Sequence, residues 1–203
     1  MKIALAALLL AAPAFAAPVE LDADPAHSTA SFAVKHMMVN TVRGEFSKFT
    51  STLLWDKEDP SKSSVNVKID ATSVDTHNEK RDGHLKSPDF FDAGKCPEIT
   101  FKSNKIEKAD GENKFKVTGD LTMHCQTHPA TLAATFTPNP MKSPFGGEVY
   151  VGSATGTVKR SEWGLVWNKP LEQAGGVLVS DEVSLEINSE FNPKAAAPAA
   201  KKK

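Results

Sequence analysis

Long apolar runs are scarce in this chain. The one at the N-terminus, Ile3 to Ala12, is shorter than the roughly 20 residues a membrane helix needs, and no other stretch approaches that length. Stable membrane insertion is therefore not expected. An excess of either charge is lacking too, with 24 Lys and Arg against 25 Asp and Glu and a formal net charge of −1. Lys2 lies in the N-terminal leader, and Lys194 and Lys201 to Lys203 lie in the tail, so the body between them is acidic. That balance argues against nucleic acid as a partner. Catalytic fingerprints are missing: there is no Gly-x-Ser-x-Gly elbow, no Gly-rich phosphate loop followed by Lys and Ser or Thr, and no dinucleotide fingerprint. No motif points to an enzyme, and no cofactor is required.

What is present begins with a leader. Met1-Lys2, the apolar run and Ala14-Phe15-Ala16 have the order of a signal peptide with a small-x-small cleavage site, so residues 1–16 are expected to be removed on export. The expected location is the periplasm of a Gram-negative cell. Residues 17–193 read as one domain, and residues 194–203, rich in Ala, Pro and Lys, as a disordered tail. The two cysteines, Cys96 and Cys125, would then sit where disulfides persist.

The body alternates with the period of a half-buried strand. Ala30, Phe32, Val34, His36 and Met38 share one face. Gly44 to Trp55 is a second strand whose phase shifts between Phe46 and Phe49, as at a bulge. Val65, Val67, Ile69 and Ala71 form a third. Runs at Glu98–Lys108 and Glu112–His124 flank Asp110-Gly111, a hairpin signal, and three more strands follow at Ala130–Phe136, Glu148–Arg160 and Val179–Ile187. Between the last two lies WGLVWNKPLEQAGG, long enough to act as a lid. The expected fold is mainly β: an eight-stranded antiparallel, lipocalin-like β-barrel with a short helical insert between strands three and four.

That insert spans Thr72 to Gly94. Thr76 and Glu79 fit a capping box that starts a helix at His77; Gly83 weakens it, Pro88 ends it, and a second turn carries Phe90-Phe91 to Gly94. Arg81, Asp82 and His84 would form either an acid/base or ligand-anchoring cluster, or a local network pinning the insert to the sheet. His77 and His84 lack a partner that completes a metal set, and His124, Cys125 and His128 supply three ligands at most where structural zinc takes four, so no metal is expected. A two-residue turn at Asp110-Gly111 would set Cys96 opposite Cys125. The alternation of Phe101 and Leu121 asks for a register one residue different, which leaves the pairing open. Periodicity does not separate a filled barrel from a hollow one, and by itself it favours a filled one.

Taken in order, the motifs resemble the YceI-like family. They are His27-Ser28 with Phe32-x-Val34-x-His36, Gly44-x-Phe46, Ser73-x-x-Thr76, Arg81-Asp82-x-His84-Leu85, Asp89-Phe90-Phe91-Asp92, Pro97-x-Ile99-Thr100-Phe101, Thr118-Gly119-Asp120-Leu121-Thr122, Arg160-x-x-Trp163-Gly164 and Val179-Ser180-Asp181-x-Val183. Cys125 departs from a common Gly and Cys96 from a common aromatic. The resemblance implies a hollow lipocalin-like barrel that binds a polyisoprenoid, either an isoprenoid quinone or a prenyl phosphate, in an apolar tunnel, with no catalytic residues. The residues then expected at the ligand are Phe32, His36, Phe46, Thr76, Arg81, Asp82, His84, Phe90, Phe91, Phe101 and Trp163. Two rival readings stand beside it: a metal-dependent or acid/base enzyme using His77, Asp82 and His84, and a stress-protective module with an empty barrel. Pairing into a homodimer is left open.

Overall fold

The computed structural model describes residues 17–144, 146–171 and 176–194. The expected leader and nearly all of the expected tail lie outside these residues, as does part of the expected lid. Among the described residues twelve strands appear: β1 (Val19–Ala23), β2 (Thr29–His36), β3 (Asn40–Phe46), β4 (Phe49–Trp55), β5 (Ser64–Asp70), β6 (Val74–Asp75), β7 (Glu98–Lys108), β8 (Lys114–Met123), β9 (Gln126–Phe136), β10 (Met141–Lys142), β11 (Glu148–Lys159) and β12 (Val179–Pro193). The helix α1 (Glu79–Lys86) stands between β6 and β7.

Three pairs of these strands are single ranks broken by a corner: β1 with β2, β3 with β4, and β5 with β6. β2 and β6 flank β3, whereas β1 and β5 flank β4. β12 pairs with β11 along one edge and with β2 and then β1 along the other, which closes the ring. The result is an eight-stranded antiparallel barrel of the expected kind. Closure matters physically because it leaves no long unpaired edge. Among the described residues no helix is long and apolar enough to cross a membrane.

The structure corrects several local expectations. The phase shift between Phe46 and Phe49 is a corner rather than a bulge: Ser47 N–H donates to the Ser73 carbonyl and Asp70 N–H to that of Lys48, so the chain changes partners there. β1 has no counterpart in the sequence reading. Met38 leaves the inward row, because Met37 and Met38 both take positive φ at the tip of the β2–β3 hairpin. The β7–β8 turn runs over Asp110 to Asn113, with Ala109 N–H donating to the Lys114 carbonyl and with Gly111 and Asn113 at positive φ. Beyond it the register moves between Ser103 and Lys105, the bulge that the alternation asked for, and Phe101 faces Leu121.

The helix begins at Glu79, not His77. Asn78 caps it, its Oδ1 accepting from Arg81 N–H at 3.0 Å. Asn is as good a cap as Thr, and Thr76 is occupied elsewhere. Beyond Ser87 a turn closed by Phe90 N–H to the Ser87 carbonyl buries Phe90 and Phe91. A disulfide joins Cys96 to Cys125, Cα atoms 5.3 Å apart, and ties the segment after α1 to the β8–β9 turn. Both residues of that turn, His124 and Cys125, have positive φ, which explains why Gly suits the position that Cys125 fills.

Candidate functional site

The inward rows do not meet in the middle. They enclose a cavity of about 740 Å³ lined overwhelmingly by aliphatic and aromatic side chains. Two strands explain the space: β9 and β11 present Ala130, Ala134, Gly152 and Ala154 inward, short residues that line the lumen without filling it. Its floor is aromatic, with Trp55 stacked edge-on against Phe115 at 5.5 Å and against Phe136 at 4.8 Å between ring centres.

The mouth is formed by the end of β2, by α1 and by the segment after Trp163. Lys80, Arg81 and Arg160 line the cavity, along with His36, His84, Asn40 and Asn78, and among the described residues no lining side chain carries a carboxylate. Among the described residues the charged part of the lining thus lies at one end and is of one sign.

Of the residues expected at a ligand, Phe32, His36, Phe46, Thr76, Arg81, His84, Phe90, Phe91 and Phe101 line this cavity. Phe32, Phe46 and Phe91 form an aromatic chain with ring centres 5.6 Å apart at each step. Asp82 and Trp163 lie outside the lining. Asp82 Oδ1 accepts from the Thr76 backbone N–H at 2.9 Å and from the Thr76 hydroxyl at 2.5 Å, while Arg81 donates through Nε to Thr76 Oγ1 and through Nη2 to the Thr76 carbonyl. The pinning role weighed for this cluster is therefore what Asp82 performs. Trp163 is 1% exposed and donates through Nε1 to the Leu121 carbonyl at 2.9 Å, as a capping plug behind the barrel wall.

His77, Asp82 and His84 do not converge. His77 stands beside Asp75 on the surface, Asp82 is engaged by Thr76, and His84 Nε2 lies 2.8 Å from Asp89 Oδ2. Among the described residues no three His, Cys, Asp or Glu side chains are gathered as for a metal ion. His124 Nδ1 meets the Trp163 carbonyl at 2.9 Å, and His128 stacks edge-on with the Trp163 ring. Both pack that plug in place.

The expected ligand set leaves out several residues that line the cavity. Trp167 closes over α1, its ring 4.8 Å from His84 and 5.4 Å from Phe90. Arg160 is buried; its Nε donates to the Ser180 carbonyl and its Nη1 to that of Leu165. Burial pulls its pKa down, partly offset by nearby Asp181. Ser51 and Ser189 interrupt inward rows that are otherwise apolar, and that interruption is the signal that could have found them.

The family model for the YceI-like domain matches residues 21–191. A UPF0312 protein of Vibrio parahaemolyticus is 40% identical over 142 residues, 70% of this chain and 74% of that protein. The crystal structure of BcnA from Burkholderia cenocepacia superposes with a TM-score of 0.70 at 26% identity, covering 83% of this chain and 98% of that one. A polyisoprenoid binding domain from Saccharophagus degradans, implicated in plant cell wall breakdown, superposes with a TM-score of 0.59 at 13% identity over 87% of this chain and 99% of its own, a likeness of fold alone.

Proposed function

Because the chain belongs to the YceI-like family, whose model spans residues 21–191, we propose that it is a periplasmic carrier or storage protein that holds a polyisoprenoid lipid inside its barrel. The observation that carries this reading is the cavity of about 740 Å³, lined mainly by apolar side chains and, among the described residues, with its charged lining groups at one end. Each methylene withdrawn from water into such a space contributes about 0.8 kcal/mol, so a few isoprene units outweigh the cost of ordering the chain. An isoprenoid quinone and a prenyl phosphate both fit this description, and the likeness to the Saccharophagus domain supports the class by analogy. The protein acts by holding its ligand, a reading supported by the His77, Asp82 and His84 side chains each being engaged by a different partner and by the described lining residues pairing no nucleophile with a base. The leader Met1 to Ala16 supports the periplasmic location.

The test is extraction. Protein purified from the periplasm under mild conditions is treated with organic solvent, and the organic phase is examined by mass spectrometry. An isoprenoid in stoichiometric amount is expected; an extract without one, from protein that also fails to take up added prenyl lipids, ends the proposal.

A further inference from the structure

Among the described residues six large apolar side chains stand well out in solvent, and five of them, Met37, Met38, Val39, Val166 and Val177, lie at the mouth of the barrel. The sixth, Met141, is at the other end: its strand β10 pairs with β11 at Glu148 and Val149, whereas β11 reaches the mouth at Lys159, opposite Glu182. Exposed apolar groups scattered singly mean little, but their gathering at one end calls for a cause. The backbone beneath them sharpens the point. At the β2–β3 tip Met37 and Met38 have φ of 51° and 67°, the left-handed region where Gly, Asn and Asp are the usual turn residues. Val39, 83% exposed, completes the loop. The turn thus joins an unfavourable backbone to exposed hydrocarbon, two penalties that folding alone leaves unexplained. Nor is the tip loose. Met37 N–H donates to the Leu178 carbonyl at 2.7 Å, and Met38 Sδ lies 3.1 Å from where a Cβ on Gly176 would stand. Residues 169–171 and 176–178 are laddered in turn, with Leu178 N–H donating to the Lys169 carbonyl at 2.9 Å and Leu171 N–H to that of Gly176 at 3.0 Å. That ribbon carries Val177, and Val166 stands on the segment leading to it.

We propose that this rim docks the protein, mouth down, on the surface of a lipid bilayer, with the Met37-Met38-Val39 tip dipping into the acyl region. A protein partner fits less well, because a stable protein interface takes about 20–30 residues a side and five apolar side chains fall short of that. A bilayer needs no matching shape. Methionine is unbranched and adaptable, which suits it to fluid hydrocarbon. Charge agrees, though weakly. Lys35, Lys80 and Lys169 are exposed at this end, while Asp82, Asp89 and Asp181 are held by Thr76, His84 and Ser161. Glu79 and Glu182 are exposed and oppose the lysines, so most of the attraction is apolar. The docking goes beyond the reading of the barrel as a carrier: it concerns the surface on which the mouth opens, not what the lumen holds.

The methionines supply the test. Beyond the leader there are four: Met37 and Met38 on the rim, buried Met123, and Met141, which is 49% exposed at the other end. Protein purified from the periplasm with isotope-labelled methionine methyls is mixed with nanodiscs of phosphatidylethanolamine and phosphatidylglycerol that contain a nitroxide-labelled lipid. The methyl signals of Met37 and Met38 should broaden several-fold more than that of Met141. A Met37→Asn, Met38→Asn double variant should partition roughly tenfold less onto vesicles of the same lipids. Its melting temperature should hold or rise, because Asn tolerates positive φ. Partitioning of the wild type should change little in high salt. Equal broadening at Met141, no broadening at the rim, or undiminished partitioning of the double variant would each overturn the docking, and binding that salt abolishes would assign the attraction to charges instead. Protein that yields an isoprenoid on extraction yet ignores the discs would sink the docking and leave the carrier reading standing; protein that docks by its rim but neither yields nor takes up a lipid would do the reverse.

Discussion

A Cβ on Gly44 would stand 2.5 Å from Cζ of Phe32, the residue it faces across the β2–β3 ladder. The same atom would lie 2.7 Å from Cγ2 of Thr76. The Phe32 ring therefore lies over bare backbone, and only that absence lets it reach Phe46 while still lining the cavity. Gly44→Ala should push the ring into the lumen. Overpacking of this kind costs about 1–3 kcal/mol of stability, and because the ring takes up lumen space prenyl-lipid affinity should fall by about tenfold, roughly 1.4 kcal/mol. Titration of the variant with a prenyl lipid checks this, and unchanged affinity would mean that Phe32 yields in some other direction.

Gly83 is the contrast. It is exposed inside α1, and a Cβ there would meet nothing within 4 Å. Gly83→Ala should stabilise the helix by up to about 1 kcal/mol through backbone entropy alone. Amide exchange slowed across Glu79 to Lys86 is the expected reading.

The disulfide closes a segment with a sequence separation of 29. For a loop of that size the chain-entropy account predicts about 3–4 kcal/mol. Reductant should lower the denaturation midpoint of the wild type correspondingly, and it should leave a Cys96→Ser, Cys125→Ser double variant where it already is. Equal midpoints for all of these would show that the bridge is not made.

Much of the barrel is legible in the sequence because a period of two has a single physical cause, a sheet with one wet face and one dry face. The corners are less so. At Ser47-Lys48 the chain bends and changes partner strands within two residues, which disturbs the alternation as a bulge does. The cap was misread because Thr76 and Asn78 are both good caps, and only the engagement of Thr76 by Asp82 and Arg81 decides between them. The cavity was hidden for another reason: Phe101, Leu121 and Leu132 alternate identically in a filled and a hollow barrel. Short inward residues such as Gly152 and Ala154 carry the difference, and reading them requires knowing which strands face one another.

His27 links the β1–β2 corner to β12, its Nδ1 lying 3.1 Å from Asp24 Oδ2 and 3.9 Å from Glu190 Oε2. The hydrogen bond to Asp24 first, and then the Glu190 charge, raise its pKa above the usual 6.5. A raised folded-state pKa contributes stability that is complete below the unfolded value and is lost as pH climbs through the folded one. The melting temperature of the wild type should therefore exceed that of His27→Gln at about pH 5.5, with the gap closing by about pH 8.5. Because the pair is exposed, added salt should narrow the gap at low pH. A gap that widens with rising pH would mean that the interaction does not favour the protonated ring.

Thr76 is 4% exposed and sits where three groups meet: Asp82 takes both of its donors, and Arg81 supplies its hydroxyl and carbonyl with protons. α1 itself has no buried residue, so its attachment to the barrel rests on this network, on the half-buried Leu85 and on the buried Phe90-Phe91 that follow. Asp82→Ala leaves two donors on a buried residue without an acceptor, a loss of about 1–3 kcal/mol. Asp82→Asn keeps an acceptor oxygen and should lose less. The cost should fall on the local unit first, because a polar helix at a barrel mouth opens with less than the global free energy. Hydrogen exchange in Asp82→Ala should accelerate over Thr76 to Asp92 while the amides of β7, β8 and β9 stay protected. Lipid release should quicken with it, since the same segment walls the mouth, and uniform acceleration across the whole barrel would instead mean that α1 and the sheet unfold as one.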